Sequence, residues 1–343
     1  MTTARSNPIG LRLLNQASLI LFAVVLMIFG ALSSAFFQPA NAVNILIQTS
    51  STGILAVGMT FVLLTAGVDL SVGSIMFVAA AVGGKLILSG WSLTATLVVM
   101  LAIGGLYGAL NAVFITRLAI MAFIVTLATR YLGRGFGLRI TETRAMNLPE
   151  SFYEFGAARI LGLPLPVLIF AVVVVLAHLT LTRTPFGRQI YAVGADLEAA
   201  RKAGINTRWV LFLVYVICGF CAAVAGIVAL SQAPAVSPGF GNNREFMAIA
   251  AAVLGGTSLF GGRGAVFPGT VLGAVLIQTI DNGLNILNVN PYLYPLITSG
   301  VIFLAVLLDA IRNRTLERLN RRRIFVEAET DQPNVKNHCD SSR

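Results

Sequence analysis

The chain has 343 residues, of which 57% are hydrophobic and 11% charged, and its mean hydropathy is +0.84. That composition lies far from soluble domains and indicates a membrane protein. Several apolar runs approach or exceed the roughly 18 residues a helical span needs, whereas a barrel would show short alternating segments, so the expected class is all-α and polytopic. The net charge of +10 is concentrated in loops and in the C-terminal tail. It is therefore read as membrane topology, not as nucleic-acid binding.

In chain order the apolar runs are 17–37, 43–66, 71–88, 93–116, 118–132, 165–182, 210–230, 246–256, 265–280 and 292–309, which predicts about ten transmembrane helices. The first is too long for a signal-peptide core and lacks a small-residue cleavage site, so it is expected to stay as a helix. Arg5 and Arg12 precede it, and Arg312, Arg314, Arg318, Arg321, Arg322 and Arg323 follow the last run. Both termini are accordingly expected in the cytoplasm. The expected division is a membrane domain over 1–316 and a cytoplasmic tail over 317–343.

The run GMTFVLLTAGVDLSVGS, residues 58–74, holds one acid, Asp69, where the apolar pattern breaks and resumes. It reads as helix, turn, helix, with Asp69 placed to cap the second helix at Leu70 or Ser71. An acid at membrane depth also marks a pathway. Both roles are compatible, and Asp69, Ser71 and Gly73 are taken as pathway or gating candidates. Asn111, Gln278 and Asn282 join them, together with the polar stretch Gln48, Thr49, Ser50, Ser51 and Thr52. A neutral polar lining suits a neutral, hydroxyl-rich solute, whereas proton pumping needs a chain of acids or histidines. The sequence has only two histidines, His178 and His338. Lys85 is expected to snorkel, Asp309 and Arg312 to pair at a helix end, and the Cys218–Cys221 pair to pack inside a helix.

Two polar stretches interrupt the pattern. The stretch 133–164 carries Arg134, Arg139, Arg144 and Arg159 and is expected as an external loop, although four arginines there oppose the positive-inside rule. The second, 183–209, has five basic residues and is expected in the cytoplasm. It contains a short helix over LEAARKA, capped by Asp196 and stopped by Gly204. The run LGGTSLFGGRGAVFPG, 254–269, is too rich in glycine for continuous helix, so its backbone must line a cavity or be covered by protein. The segment 246–256 is too short to cross alone and is read either as a half-helix or as extending through Phe260. GGRG hints at a phosphate loop, but GxxxxGK[ST] is absent, which argues against nucleotide binding by this chain.

Residues 58–74, TPFGRQIYAVGADLEAARKAGI at 184–205, AIAAAVLGGTSLFGGRGAVFPGTVLGAVL at 248–276, DNGLNIL at 281–287 and VIFLAVLLD at 301–309 resemble, in the same order, segments of the permease subunits of bacterial ABC importers for monosaccharides, the ribose permease family. The resemblance covers nearly the whole chain. It implies a non-enzymatic transport subunit that works with a second permease copy, an ABC ATPase and a periplasmic sugar-binding protein. ATP and Mg²⁺ would sit on the ATPase, and this chain would carry no cofactor or metal. EAARKAG, 198–204, is similar to the EAAxxxG part of the importer coupling motif, which implies that Glu198, Ala199, Ala200, Gly204 and Ile205 dock on the ATPase. The motif's IxLP ending is absent, with Val214 and Tyr215 where it would begin. The expected cargo is a pentose such as ribose, then a hexose, polyol or furanosyl sugar. The competing readings are an ion-coupled secondary sugar transporter, for which Asp69 is the only acid on offer, and a passive channel or scaffold.

Overall fold

The computed structural model describes residues 17–300, together with Phe303 and Leu307. The tail 317–343 and the Asp309–Arg312 pair lie outside the described residues. The long helices are α1 (Ala17–Leu32), α2 (Pro39–Leu64), α3 (Val72–Leu88), α4 (Leu93–Thr116), α5 (Ala122–Thr141), α7 (Leu165–Arg183) and α10 (Thr207–Gln232). The shorter ones are α6 (Glu150–Ala157), α8 (Pro185–Ala195), α9 (Leu197–Lys202), α11 (Arg244–Leu254) and α12 (Val271–Ile286). A further helix starts after the 3₁₀ turn Pro291–Leu293. The chain is an all-α, multi-pass membrane protein. Strand pairing among the described residues is limited to two-residue bridges, one of which joins Met146–Asn147 to Ala235–Val236.

By length and composition α2, α4, α7 and α10 can each cross a bilayer. The apolar runs in the sequence mark these helices because a span with no water must satisfy its backbone internally. The central element is α2. Its C-terminal two-thirds, from Thr49 to Leu64, is buried throughout, while α4 and α7 keep most of their surface outward. Helix α10 lies against α2, α3 and α4, and it meets α4 where small residues permit backbone contact. A Cβ on Gly104 would collide with the Gly219 carbonyl, and one on Gly108 with that of Tyr215. Gly105 has nothing within 4 Å. The close approach thus uses one side of the GGLYG sequence.

One expectation changes, and one open choice closes. The stretch 133–164 is not wholly a loop, because α5 continues to Thr141. Glycine and arginine lower its hydropathy, yet they are what the packing requires: Gly133 faces Ser74, and Gly137 faces the Phe77 ring too closely for any Cβ. Arg134 reaches inward, with Nη1 donating to the Phe240 carbonyl at 2.6 Å and Nη2 to that of Pro238 at 3.0 Å. Its guanidinium also lies 4.7 Å from the Phe77 ring centre. Two of the arginines assigned to an external loop are therefore helical, and Arg134 is a tertiary clamp. Secondly, α11 stops at Leu254 and does not run through Phe260. Its 11 residues span roughly 16 Å, about half a hydrocarbon core. It is a half-helix.

The glycine-rich run that follows α11 is tied to the body through its backbone, while Gly256, Leu259, Phe260 and Arg263 stay exposed. Gly262 N–H donates to the Leu64 carbonyl at the end of α2, 3.0 Å away. Tyr191 of α8 donates its hydroxyl to the Gly264 carbonyl at 2.8 Å. Gly194 of α8 presses on both Leu64 and Gly262, with no space for a Cβ. The end of α2, the glycine-rich loop and α8 meet at this one crossing.

Candidate functional site

Three regions contain the candidate residues. The first is the turn between α2 and α3. Asp69 closes the turn that leads into α3: Oδ1 accepts from the N–H of Ser71, the N-cap residue, at 2.9 Å and from the Ser71 hydroxyl at 2.6 Å. Asn111 of α4 donates Nδ2 to Ser71 Oγ at 2.8 Å. Asp69, Ser71 and Asn111 are all 0% exposed, so in this conformation they line no opening of the chain. The Cys218 thiol of α10 lies against the Asp69 carboxylate, whereas Asn111 Oδ1 and the Tyr215 hydroxyl have no hydrogen-bond partner among the described residues. Unmade bonds of this kind are costly in a low-dielectric interior.

Gly73 belongs to the same region. A Cβ there would collide with the Gly241 carbonyl and the Glu245 carboxylate, so the first turn of α3 touches the chain entering α11. Glu245 is 1% exposed, and Arg130 Nη2 of α5 lies 2.6 Å from its Oε1. That approach is an ion pair outside hydrogen-bonding angles. Arg130, Arg134 and Glu245 were not picked out from the sequence. A signal was available, since Arg130 is a charge inside the apolar run 118–132 and such charges seek partners.

The second region is a polar ring around the N-terminal half of α2. Gln278 of α12 donates Nε2 to Gln48 Oε1 at 3.0 Å, and Arg244 of α11 donates Nη1 to Thr52 Oγ1 at 3.0 Å. Asp281 attracts Arg244 electrostatically and accepts from the Thr298 hydroxyl at 3.1 Å. Asn282 is next to it on α12, 5% exposed, with Oδ1 unpartnered. The other polar residues of 48–52 do different work. Thr49 and Ser50 bond back to the carbonyls of Ile45 and Leu46, and Ser51 donates to the Ala225 carbonyl of α10 at 2.9 Å. Among the described residues, Gln48 and Thr52, one turn apart, are the members of this stretch that reach side chains of other helices.

The third region is the connector α8–α9. Asp196 Oδ1 accepts from the N–H groups of Glu198 and Ala199 at 2.9 and 3.0 Å. Gly204 has φ +83°, a left-handed conformation that permits the stop. Ile205 N–H then returns to the Ala200 carbonyl at 3.1 Å. Glu198, Ala199 and Gly204 are exposed, Ile205 is half-buried, and Ala200 is buried at 4%. Ala200 is thus the anchor of the short helix, and Glu198, Ala199 and Gly204 form its outer face. Leu197 and Trp209 add exposed apolar surface to that face. Burial raises the Tyr191 phenol above its ordinary pKa.

Residues 41–308 match the family described as branched-chain amino acid transport system, permease component. The chain belongs to this permease family. Among its curated relatives is the ribose import permease of Escherichia coli (strain K12), 40% identical over 302 residues, covering 87% of this permease and 94% of the relative. The D-allose transport system permease of the same organism is 36% identical and covers 85% and 90%. The xylose transport system permease is 33% identical and covers 89% and 94%. No solved structure matches.

Proposed function

We propose that this chain is the membrane-spanning subunit of an ATP-driven importer for a monosaccharide, with ribose the first choice and other pentoses, hexoses, polyols and furanosyl sugars behind it. The reading is carried by similarity over 85–89% of the chain to permeases named for ribose, allose and xylose. Two permease copies enclose the path, an ABC ATPase binds the cytoplasmic face and holds the nucleotide, and a periplasmic binding protein delivers the sugar. Both termini face the cytoplasm. The half-open ring of neutral and charged polar groups favours a hydroxyl-rich solute over proton transfer, since Asp281 is the single acid in it among the described residues.

In this reading α9 is the contact with the ATPase. Glu198, Ala199 and Gly204 offer an acid, a small residue and a close approach, while Ala200 and the Asp196 cap fix the helix to the body. ATP binding moves α8–α9, and the crossing of Gly194, Leu64 and Gly262 passes that motion to the end of α2 and the glycine-rich loop. Leu64 leads directly into the Asp69 turn, so the sealed cluster travels with α2. Energy enters only through contacts that differ between the outward and inward states.

The test is uptake of a panel of radiolabelled sugars by membranes containing this chain, its ATPase and its binding protein. ATP-dependent ribose uptake that disappears without this chain is expected. ATP-independent uptake driven by an ion gradient would overturn the reading, as would uptake of branched-chain amino acids instead of sugars. Gly204→Val should abolish uptake with normal amounts of protein in the membrane, because valine strains a positive-φ stop by about 1–2 kcal/mol and projects into the docking face.

A further inference from the structure

The polar ring has properties that helix packing alone does not require. Gln48 and Thr52 are one turn apart on α2, and Gln278 and Asp281 are one turn apart on α12. The Gln48–Gln278 and Thr52–Arg244 hydrogen bonds and the attraction between Arg244 and Asp281 close the circuit through three helices. Gln48, Arg244, Gln278 and Asp281 each keep part of their surface accessible, unlike the Asp69 cluster. A charged and amide-rich surface turned toward lipid is strongly disfavoured, so this face belongs to a water-containing path or to the second permease copy that borders it.

Its hydrogen-bonding capacity is also unspent. Each glutamine makes one side-chain bond and Arg244 makes one, among the described residues. An amide offers two donors and an acceptor with two lone pairs, and a guanidinium offers five donors. Arg244 and Asp281 attract each other without a direct ion pair between them. Planar amide, guanidinium and carboxylate groups held at fixed angles, with free donors and acceptors on one face, match adjacent hydroxyls of a sugar ring. The polar residues of the sealed cluster cannot serve in this way, having no exposed surface.

We propose that Gln48, Arg244, Gln278 and Asp281 form a hydroxyl-reading site within the membrane, with the buried Thr52 hydroxyl positioning Arg244, so that the permease itself discriminates among sugars in addition to the binding protein. The proposal rests on the sugar-import reading above. Passage exchanges the Gln48–Gln278 bond for bonds to sugar hydroxyls. An analogue lacking a hydroxyl leaves buried donors or acceptors unpaired and is disfavoured for that reason.

The test holds the ATPase and binding protein constant and saturating. It measures ATP hydrolysis together with uptake of D-ribose and 2-deoxy-D-ribose for the wild type and for Gln48→Leu, Gln278→Leu, Thr52→Val and Thr52→Ser. Expected for the two leucine variants and Thr52→Val is at least a tenfold fall in ribose moved per ATP hydrolysed, with ATP hydrolysis retained. The preference for ribose over the deoxy sugar should narrow in the same variants. Thr52→Ser keeps the hydroxyl and should behave as wild type. If the ring is only a latch between helices, thermal unfolding of the purified variants shifts down and both sugars slow by one common factor, which overturns the site. An unchanged ribose-to-ATP ratio and preference overturns it as well. Absence of uptake by the wild-type complex is a different result, and it removes the import reading beneath the proposal.

Discussion

The Asp69 cluster and the Gln48–Arg244–Gln278–Asp281 ring use the same kinds of side chain in the same membrane domain, yet they sit in opposite surroundings. Asp69, Ser71 and Asn111 have no exposed surface, and Asp69 Oδ1 is committed to Ser71 at the entry to α3. The ring is half-open, with one hydrogen bond for each glutamine and one for Arg244 among the described residues. Polarity in a membrane segment therefore does not by itself indicate a path. What separates the two regions is whether the donors and acceptors are consumed by the chain or left available at an accessible face.

Substitutions should break this comparison in order of how much each region depends on its internal bonds. The largest effect on folding is expected from Glu245→Ala beside the sealed cluster, because it leaves Arg130 without its ion-pair partner. Removing one member of a buried pair costs about 3–5 kcal/mol, so the detergent-purified variant should show a much lower unfolding midpoint or fail to accumulate in the membrane. Asp69→Ala should cost less, about 1–3 kcal/mol for the donors left unmade at Ser71. Asp69→Asn retains an acceptor oxygen and should recover most of that loss. Normal unfolding of Asp69→Asn combined with lost uptake would give the turn a gating role in addition to capping. Smallest in folding terms are Gln48→Leu and Gln278→Leu, expected within about 1 kcal/mol of wild type because each ends a single part-exposed bond. Their effect belongs in transport, and a large drop in their unfolding midpoint would erase the distinction between the two regions.

Much of the architecture was legible because the forces involved are local. Apolar runs of sufficient length produced α2, α4, α7 and α10, Asp196 announced its cap, and Gly204 announced the stop that its positive φ now explains. Asp69 likewise declared its bond to Ser71, two residues away. The continuation of α5 was misread for an equally clear reason. Gly133, Arg134 and Gly137 lower hydropathy, and only the neighbours Ser74, Phe77, Pro238 and Phe240 reveal that they pack. Arg130 and Glu245 were legible as charges in or beside apolar runs, but not as partners. Gln48, Thr52 and Gln278 were visible as polar residues, whereas Arg244 and Asp281 entered the ring only through contacts.

The sequence by itself determined that this is a helical, multi-pass membrane protein with a capped helix in its basic connector and an acid at a helix break, because span length, capping and left-handed stops depend on residues within a turn or two. Only the tertiary structure decided which polar residues are sealed and which remain available. Thr52 meets Arg244 across 192 positions and Gln48 meets Gln278 across 230, and such pairings depend on how helices cross, which hydropathy and spacing along one segment do not encode.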